Sequence, residues 1–176
     1  MELEKIKKDK SDIDILKNRY AKLLKLTEKM NKLIDPDELY ITVIQEFIDV
    51  FDFEFGFIQM EKNGRLNIIK GSVVDDAFKG ELDKTIKHFG NIKTAPLING
   101  PNGPEMACCV AYLNNIHVYF PTIKLVANLP LLPKDRIALD LLDNIPESFI
   151  MVPICDQEKP VGILQLWSFT HSVELS

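Results

Sequence analysis

The chain has 176 residues, of which 46% are hydrophobic and 27% charged, which is typical of one soluble globular domain with a full core. Its net charge of -5 disfavours a nucleic-acid partner, because phosphate contacts need clustered basic residues and here they are interleaved with acids. No apolar run approaches the roughly 18 residues that span a bilayer, and the charged N-terminus lacks the apolar core of a secretion signal. We therefore expect a cytoplasmic protein without a membrane span.

Residues 13–34 carry apolar side chains at helical spacing without glycine or proline, and predict one long helix that ends before Asp35-Pro36. Two heptad registers run along it: Ile13, Tyr20, Thr27 and Ile34 in one, and Leu16, Leu23 and Met30 in the other. Residues 1–34 are therefore predicted to pair with a second copy as a coiled-coil dimerisation helix. The alternative is that this helix packs only on its own domain. It remains possible because about three heptads are the lower limit for a coiled coil.

Residues 35–176 predict helices that alternate with antiparallel hairpins. A second helix begins at Asp35-Pro36 and ends near Phe51, and Asn63-Gly64 is the turn of a first hairpin over residues 53–69. The later predicted elements are helices at 75–89, 105–113 and 133–142, a loop at 91–104, a short strand at 117–120, and a closing hairpin of strands 149–154 and 161–167. This order indicates an α+β fold with helices packed on one antiparallel sheet.

Five segments, in this order, resemble GAF domains, the sensory modules of many signalling enzymes. They are Leu33–Leu39, the hairpin around Asn63-Gly64, the helix Met106–Tyr112, His117–Pro121, and the pair Ser148–Ile154 with Pro160–Leu166. The resemblance covers about residues 20–170. It implies a GAF-like, PAS-related fold, with a central antiparallel sheet of about six strands, terminal helices on one face, and a ligand pocket on the other face under the central helices.

Members of this family often precede cyclases, kinases or diguanylate cyclases, and they signal through helices that pair across a dimer. The resemblance therefore implies a regulatory domain that senses a small molecule, with a cyclic nucleotide slightly favoured over another metabolite. A ligand-free GAF dimerisation module is the alternative. Because the family normally continues into a long exit helix, residues 35–176 are expected to be a fragment without it, and Ser172–Leu175 are compatible with its first turn.

Pocket residues are proposed from the resemblance and from strand alternation. They are Phe57 and Gln59 of the first hairpin, Cys108 and Tyr112 of the central helix, His117, Tyr119 of the following strand, and Met151 and Gln165 of the closing strands. Gln59 and Gln165 carry most weight, since a buried amide costs about 1–3 kcal/mol unless a partner satisfies it, and a ligand can be that partner. Core packing, or for the polar residues solvent exposure, is the alternative.

Cys108 carries the one enzyme hypothesis, because free methionine-(R)-sulfoxide reductase has the GAF fold and uses thiols at the pocket. In that family the helix starts with a Gly-Val-Cys-Gly pattern, whereas here it reads Met106-Ala-Cys-Cys109, and the further cysteine expected within 121–145 is missing. We expect no catalytic residue, and expect the cysteines to be inert side chains. No metal or other cofactor is expected either, since no metal-ligand spacing joins the three histidines, His88, His117 and His171.

Overall fold

The computed structural model describes residues 2–32, 35–91, 104, 106–122 and 132–175. Within these ranges the chain forms five α-helices, one short 3₁₀ helix (Asp76–Phe78) and five strands. The helices are α1 (Glu2–Met30), α2 (Pro36–Phe51), α3 (Lys79–Asn91), α4 (Ala107–Asn114) and α5 (Pro133–Asp140), and the strands are β1 (Phe55–Glu61), β2 (Leu66–Val73), β3 (Val118–Phe120), β4 (Ser148–Asp156) and β5 (Lys159–Ser168). Most of the loop predicted at 91–104 lies outside the described residues.

One antiparallel sheet with strand order β2-β1-β5-β4-β3 forms the centre of the molecule. The first hairpin turns at Asn63 and Gly64, whose φ values of 55° and 74° are those of the left-handed pair that a two-residue hairpin turn requires. The predicted α+β architecture is confirmed. The described residues contribute five strands, where the resemblance implies about six.

Side chains alternate between the two faces of the sheet, as the period of two along a strand demands. On one face, which we call the α2 face, Ile58, Leu164 and Leu166 pack with Ile44 and Ile48 of α2. On the other face, which we call the α4 face, the buried residues form two further clusters. The cluster at α4 contains Leu66, Met106, Cys108, Cys109, Ala111, Met151 and Ile163. The cluster beside α3 contains Phe55, Phe57, Trp167 and Phe169. The core is thus divided into two layers by the sheet.

Helix α1 packs on α2 along one side only. Leu26 is 3% exposed, Lys22 Nζ lies 2.8 Å from Asp49 Oδ2, and the guanidinium of Arg19 lies 5.6 Å from the ring centroid of Phe51. The helix begins at Glu2, before the predicted residue 13, and ends at Met30, where a turn follows; the predicted seam residue Ile34 lies outside the described residues.

The side of α1 that points away from α2 is apolar and exposed. Ile13, Leu16, Tyr20 and Leu24 have exposed fractions of 50%, 53%, 65% and 50%. Their spacing of three or four residues places them within about 80° of the helix circumference, at 100° per residue. We call these four residues the α1 stripe. Much of the heptad seam therefore remains uncovered by the chain's own domain.

After β5 the chain crosses back over the α2 face without forming a helix. Val173 is 4% exposed and packs with α2, and the hydroxyl of Tyr119 donates to the carbonyl of Val173. Nη2 of Arg19 donates to the carbonyl of Glu174 at 3.4 Å. Ser172–Leu175, whose sequence is compatible with a helical turn, are not helical here, because burial of Val173 holds the segment in an irregular conformation.

Candidate functional site

Four of the predicted pocket residues lie together on the α4 face. Gln165 of β5 pairs with Phe57 of β1 on one side and with Met151 of β4 on the other, and Gln59 follows Phe57 by two residues. All four are at least 93% buried. The sequence therefore placed them correctly on one sheet face, because residues two apart on a strand point the same way.

The two glutamines satisfy each other. Nε2 of Gln165 donates to Oε1 of Gln59 at 2.7 Å, and the bond is buried. A buried glutamine amide needs a hydrogen-bond partner, which a ligand can supply. In this structure a second amide is that partner, so the polar pair by itself does not require a ligand.

Helix α4 covers the glutamine pair with apolar side chains. Cys108, 1% exposed, packs with Met151 and Ile163, and Tyr112 is half-buried against the same cluster. The pKa of the Cys108 thiol lies well above its ordinary value. The larger cause is a hydrogen bond with Cys109, and the second cause is burial. A protonated thiol is a poor nucleophile, so this geometry disfavours chemistry at Cys108.

The start of α4 is capped by a side chain from another helix. Met106, at the N-cap position, offers no side-chain acceptor, and Oδ2 of Asp135 on α5 instead accepts from the backbone N–H of Ala107 at 2.9 Å. Burial raises the pKa of Asp135 from 3.8 to about 6, although the bond from Ala107 opposes that shift. Asp135 thus fixes α5 to the N-terminal end of α4 through a half-desolvated carboxyl group.

His117 and Tyr119 do not join this group. His117 is exposed between α4 and β3, and Tyr119 pairs with Ile150 of β4, whose side chain belongs to the α2 face. In β3, Val118 and Phe120 lie on the α4 face, where Phe120 pairs with Phe149, so Tyr119 between them points to the other face. The prediction that Tyr119 shares a pocket with Gln165 is therefore corrected, since the two side chains lie on opposite faces of the sheet.

A second region of the α4 face, between α3 and α5, contains a small cavity of about 10 Å³. This is room for about one water molecule. Thr85 of α3 and Trp167 of β5 line it, together with Lys84, His88, Ala138, Leu141 and Leu142. Trp167 lies two residues after Gln165 on the same face, so the cavity and the glutamine pair are neighbours on one surface.

Three buried polar atoms in this region have no hydrogen-bond partner among the described residues; two belong to the lining residues Trp167 and Thr85, and the third belongs to Glu81, one helical turn before Thr85. They are Nε1 of Trp167, Oγ1 of Thr85 and Oε2 of Glu81. The three residues are 6%, 2% and 5% exposed. Because each unsatisfied buried group costs about 1–3 kcal/mol, their concentration here marks this region as the candidate site.

Ionic contacts surround the cavity. Nζ of Lys84 pairs with Oδ2 of Asp143, and Oε1 of Glu81 accepts from Nδ2 of Asn144 at 3.2 Å. The bond to Asp143 raises the pKa of Lys84, and burial lowers the pKa of His88, which favours the neutral imidazole. In the described ranges no group of three histidine, cysteine or acidic residues is arranged to hold a metal ion.

No protein-family model matches this sequence, and neither does any curated protein. Solved structures do match. A GAF domain from a phosphoenolpyruvate-protein phosphotransferase of Coxiella burnetii superposes with a TM-score of 0.60 at 13% identity, over 90% of this chain and 82% of that one. The corresponding GAF domain from Acinetobacter gives a TM-score of 0.58 at 12% identity, over 89% and 80%. This chain adopts the GAF-domain fold.

The GAF fold also includes an enzyme similar to this chain. A free methionine-R-sulfoxide reductase from Neisseria meningitidis, determined in complex with its substrate, superposes with a TM-score of 0.57 at 10% identity, over 90% of this chain and 77% of that one. At such identities the likeness shows the fold alone. The function of this chain therefore depends on its own residues.

Part of the candidate site is not among the residues predicted from the sequence. Trp167 is one such residue, although its separation of two from Gln165 places it on the same face. Glu81 and Thr85 are two more, and their separation of four residues on a predicted helix places both on one side. That this side is buried depends on α5 and β5, which no local pattern reveals.

Proposed function

We propose that this GAF domain is a regulatory, small-molecule-sensing module of a cytoplasmic signal-transduction protein, such as a nucleotide cyclase or a kinase. The single observation that carries the proposal is the cluster of unsatisfied polar atoms at Trp167, Thr85 and Glu81 beside a cavity on the α4 face. A ligand that supplies the missing hydrogen bonds stabilises the state that binds it. We infer that the domain itself is not catalytic, because the buried Cys108 thiol is held protonated.

The signal is proposed to leave through α1. The α1 stripe forms a homodimer seam, and α1 is joined to the domain by α2 and by the segment around Val173. Ligand binding changes the packing of these elements, and the dimer passes the difference on. A ligand produces such a signal only if it binds the two packings with unequal affinity.

The ligand is a cyclic nucleotide or another small metabolite. A phosphate group needs a nearby cation or helix N-terminus. Arg19 lies on the α2 side over Phe51, Arg65 lies at the turn between β1 and β2, and Arg136 is exposed on α5. None of these three arginines lines the cavity, and Lys84, which does line it, is paired with Asp143, so the site favours a ligand whose recognition does not depend on a phosphate.

A thermal-shift screen against cyclic nucleotides and a metabolite panel tests the sensor proposal. We expect a saturable rise in melting temperature with at least one compound, and a smaller rise with Gln165→Ala or Thr85→Val, since both positions line the α4 face. Gln45→Ala on α2, where the side chain is exposed, is the matched control. A flat screen on folded protein would contradict ligand sensing.

A ligand-free dimerisation module is the second candidate function. The mutual hydrogen bond of Gln59 and Gln165 favours it, because the interior beneath α4 is then complete without a ligand. This candidate predicts a flat screen together with a dimer that depends on the α1 stripe. A response to ligand in the same screen would exclude it.

A further inference from the structure

Polar groups of different hydrogen-bonding character lie in and next to the cavity between α3 and α5: Trp167 and Thr85 line it, and Glu81 lies on α3 one helical turn before Thr85. The indole N–H of Trp167 can only donate, the hydroxyl of Thr85 can donate or accept, and the remaining carboxylate oxygen of Glu81 can only accept. Glu81 and Thr85 are one helical turn apart on α3, so their side chains are neighbours. A group that satisfies all three must contain both an acceptor and a donor.

The charged side chains near the cavity restrict the chemical class of the ligand further. A phosphate or carboxylate placed here would lie beside the carboxylate of Glu81, which repels it, and Lys84 is already paired with Asp143. A simple cation would leave the indole N–H of Trp167 without an acceptor. At its present size the cavity has room for about one water molecule, which meets this requirement, so a ligand group that takes the place of water has to be neutral with adjacent acceptor and donor atoms.

We infer that this cavity is the anchoring subsite for the amide edge of a ligand, either a lactam or a primary carboxamide. The carbonyl oxygen accepts from Nε1 of Trp167, and the amide N–H donates to Oγ1 of Thr85, since both residues line the cavity. The inference rests on the proposed function and specifies the ligand class of the same site.

Two contacts hold the cavity closed at its present size. Lys84 pairs with Asp143, and Glu81 accepts from Asn144, so both join α3 to the segment that follows α5. A volume of about 10 Å³ admits about one water molecule and not a whole amide. Binding therefore requires α5 and this segment to move away from α3, which widens the cavity beside Trp167.

Trp167 provides the readout, because it is the single tryptophan of the chain. We would titrate the protein with 2-pyrrolidinone, a lactam, and follow Trp167 fluorescence. Cyclopentanone has the acceptor without the donor, and pyrrolidinium has the donor as a cation. We expect a saturable change with 2-pyrrolidinone and affinity about tenfold weaker for the other two, as expected for the loss of one hydrogen bond.

Variants at Thr85 assign the change to this cavity. Thr85→Val removes the hydroxyl at nearly constant volume and should weaken 2-pyrrolidinone binding about tenfold, whereas Thr85→Ser should keep it. Thr42→Val on α2, whose helix packs on the other sheet face, should bind as wild type. Equal affinity for 2-pyrrolidinone and cyclopentanone, or no saturable change in any protein, would overturn the amide-edge inference.

The two proposals fail in different ways. If the metabolite screen yields a ligand but the lactam series shows no preference, sensing stands and the ligand class is wrong. If 2-pyrrolidinone binds through Thr85 but leaves the dimer unchanged in light scattering at saturation, the subsite stands and the relay through α1 is wrong.

Discussion

Nε2 of Gln165 on β5 donates a hydrogen bond to Oε1 of Gln59 on β1, 2.7 Å away and inside the apolar layer beneath α4. The two residues are 106 positions apart in sequence. If one glutamine is replaced, the other keeps a buried amide without a partner. If both are replaced, no buried amide is left unpaired.

Gln59→Leu and Gln165→Leu are each expected to lower the free energy of unfolding by about 1–3 kcal/mol, because the remaining amide loses its partner. The double variant should lose clearly less than the sum of the two single losses. Urea unfolding of the four proteins measures this coupling. Strictly additive losses would show that the bond contributes nothing specific.

The α1 stripe is predicted to hold a dimer. Leu16→Glu combined with Tyr20→Glu should convert the dimer to a monomer, near the chain mass of 20.1 kDa in light scattering, because charge replaces apolar surface at the seam. Ile15→Glu is the control, since Ile15 is 45% exposed on the same helix but lies outside the stripe. A wild-type monomer, or equal effects at Ile15, would contradict the seam.

Asp135 should make stability depend on pH. Burial raises its folded-state pKa from 3.8 to about 6, so the folded state retains a proton that the unfolded state has released between about pH 4 and 6. The contribution of Asp135 to the free energy of unfolding is therefore fully present below about pH 4 and is lost as the pH rises through about 6.

Asp135→Asn removes that loss, because an amide oxygen still accepts from Ala107 without a charge to desolvate. At pH 7.5 the variant should be more stable than wild type by about 1–3 kcal/mol, and at pH 4 the two should be nearly equal. Thermal unfolding across this range measures it. Asp140→Asn, at an exposed position of the same helix, is the control and should change little.

Glu54 should give the opposite pH dependence. Burial raises its pKa, but hydrogen bonds from the side chain and backbone of Thr170 and from the backbone of Phe169, with the nearby His171, lower it overall. Because the folded pKa lies below the unfolded one, the stabilisation is present above the unfolded value of 4.5 and is lost as pH falls.

Glu54→Gln should therefore be less stable than wild type at pH 7, and the difference should shrink as the pH is lowered below 4.5. Acid titration of urea midpoints tests this. Glu28→Gln at an exposed position of α1 is the matched control. A difference that stays constant with pH would indicate a loss of packing instead of a loss of charge.

Gly162 is predicted to tolerate no side chain. A Cβ at this position would lie 2.5 Å from the carbonyl oxygen of Gln59 and 2.6 Å from Sδ of Met60, and the backbone contact cannot be relieved by a rotamer change. Gly162→Ala should destabilise the domain by about 1–3 kcal/mol in chemical unfolding. Gly80→Ala in α3 meets nothing within 4 Å and should be neutral or stabilising.

The sequence predicted most elements of the sheet, because their signals are local. Asn63-Gly64 requires positive φ values and marked the first hairpin, and alternation placed Gln59 and Phe57 on one face. It overestimated α1 at its C-terminal end, where the apolar spacing continues but the described helix ends at Met30. Around Val173 the sequence is compatible with a turn of helix, but burial against α2 prevails over local propensity and no helix forms there.

By itself the sequence determined the periodicities of this protein, and therefore which residues share a strand face or a helix stripe, since those depend only on spacing of two or 3.6 residues. Only the tertiary structure decided what each face meets. It gave Gln165 a partner in Gln59, placed Asp135 at the start of α4, and left Trp167, Thr85 and Glu81 unsatisfied beside a cavity. These outcomes depend on contacts between segments far apart in the chain, and no local pattern carries that information.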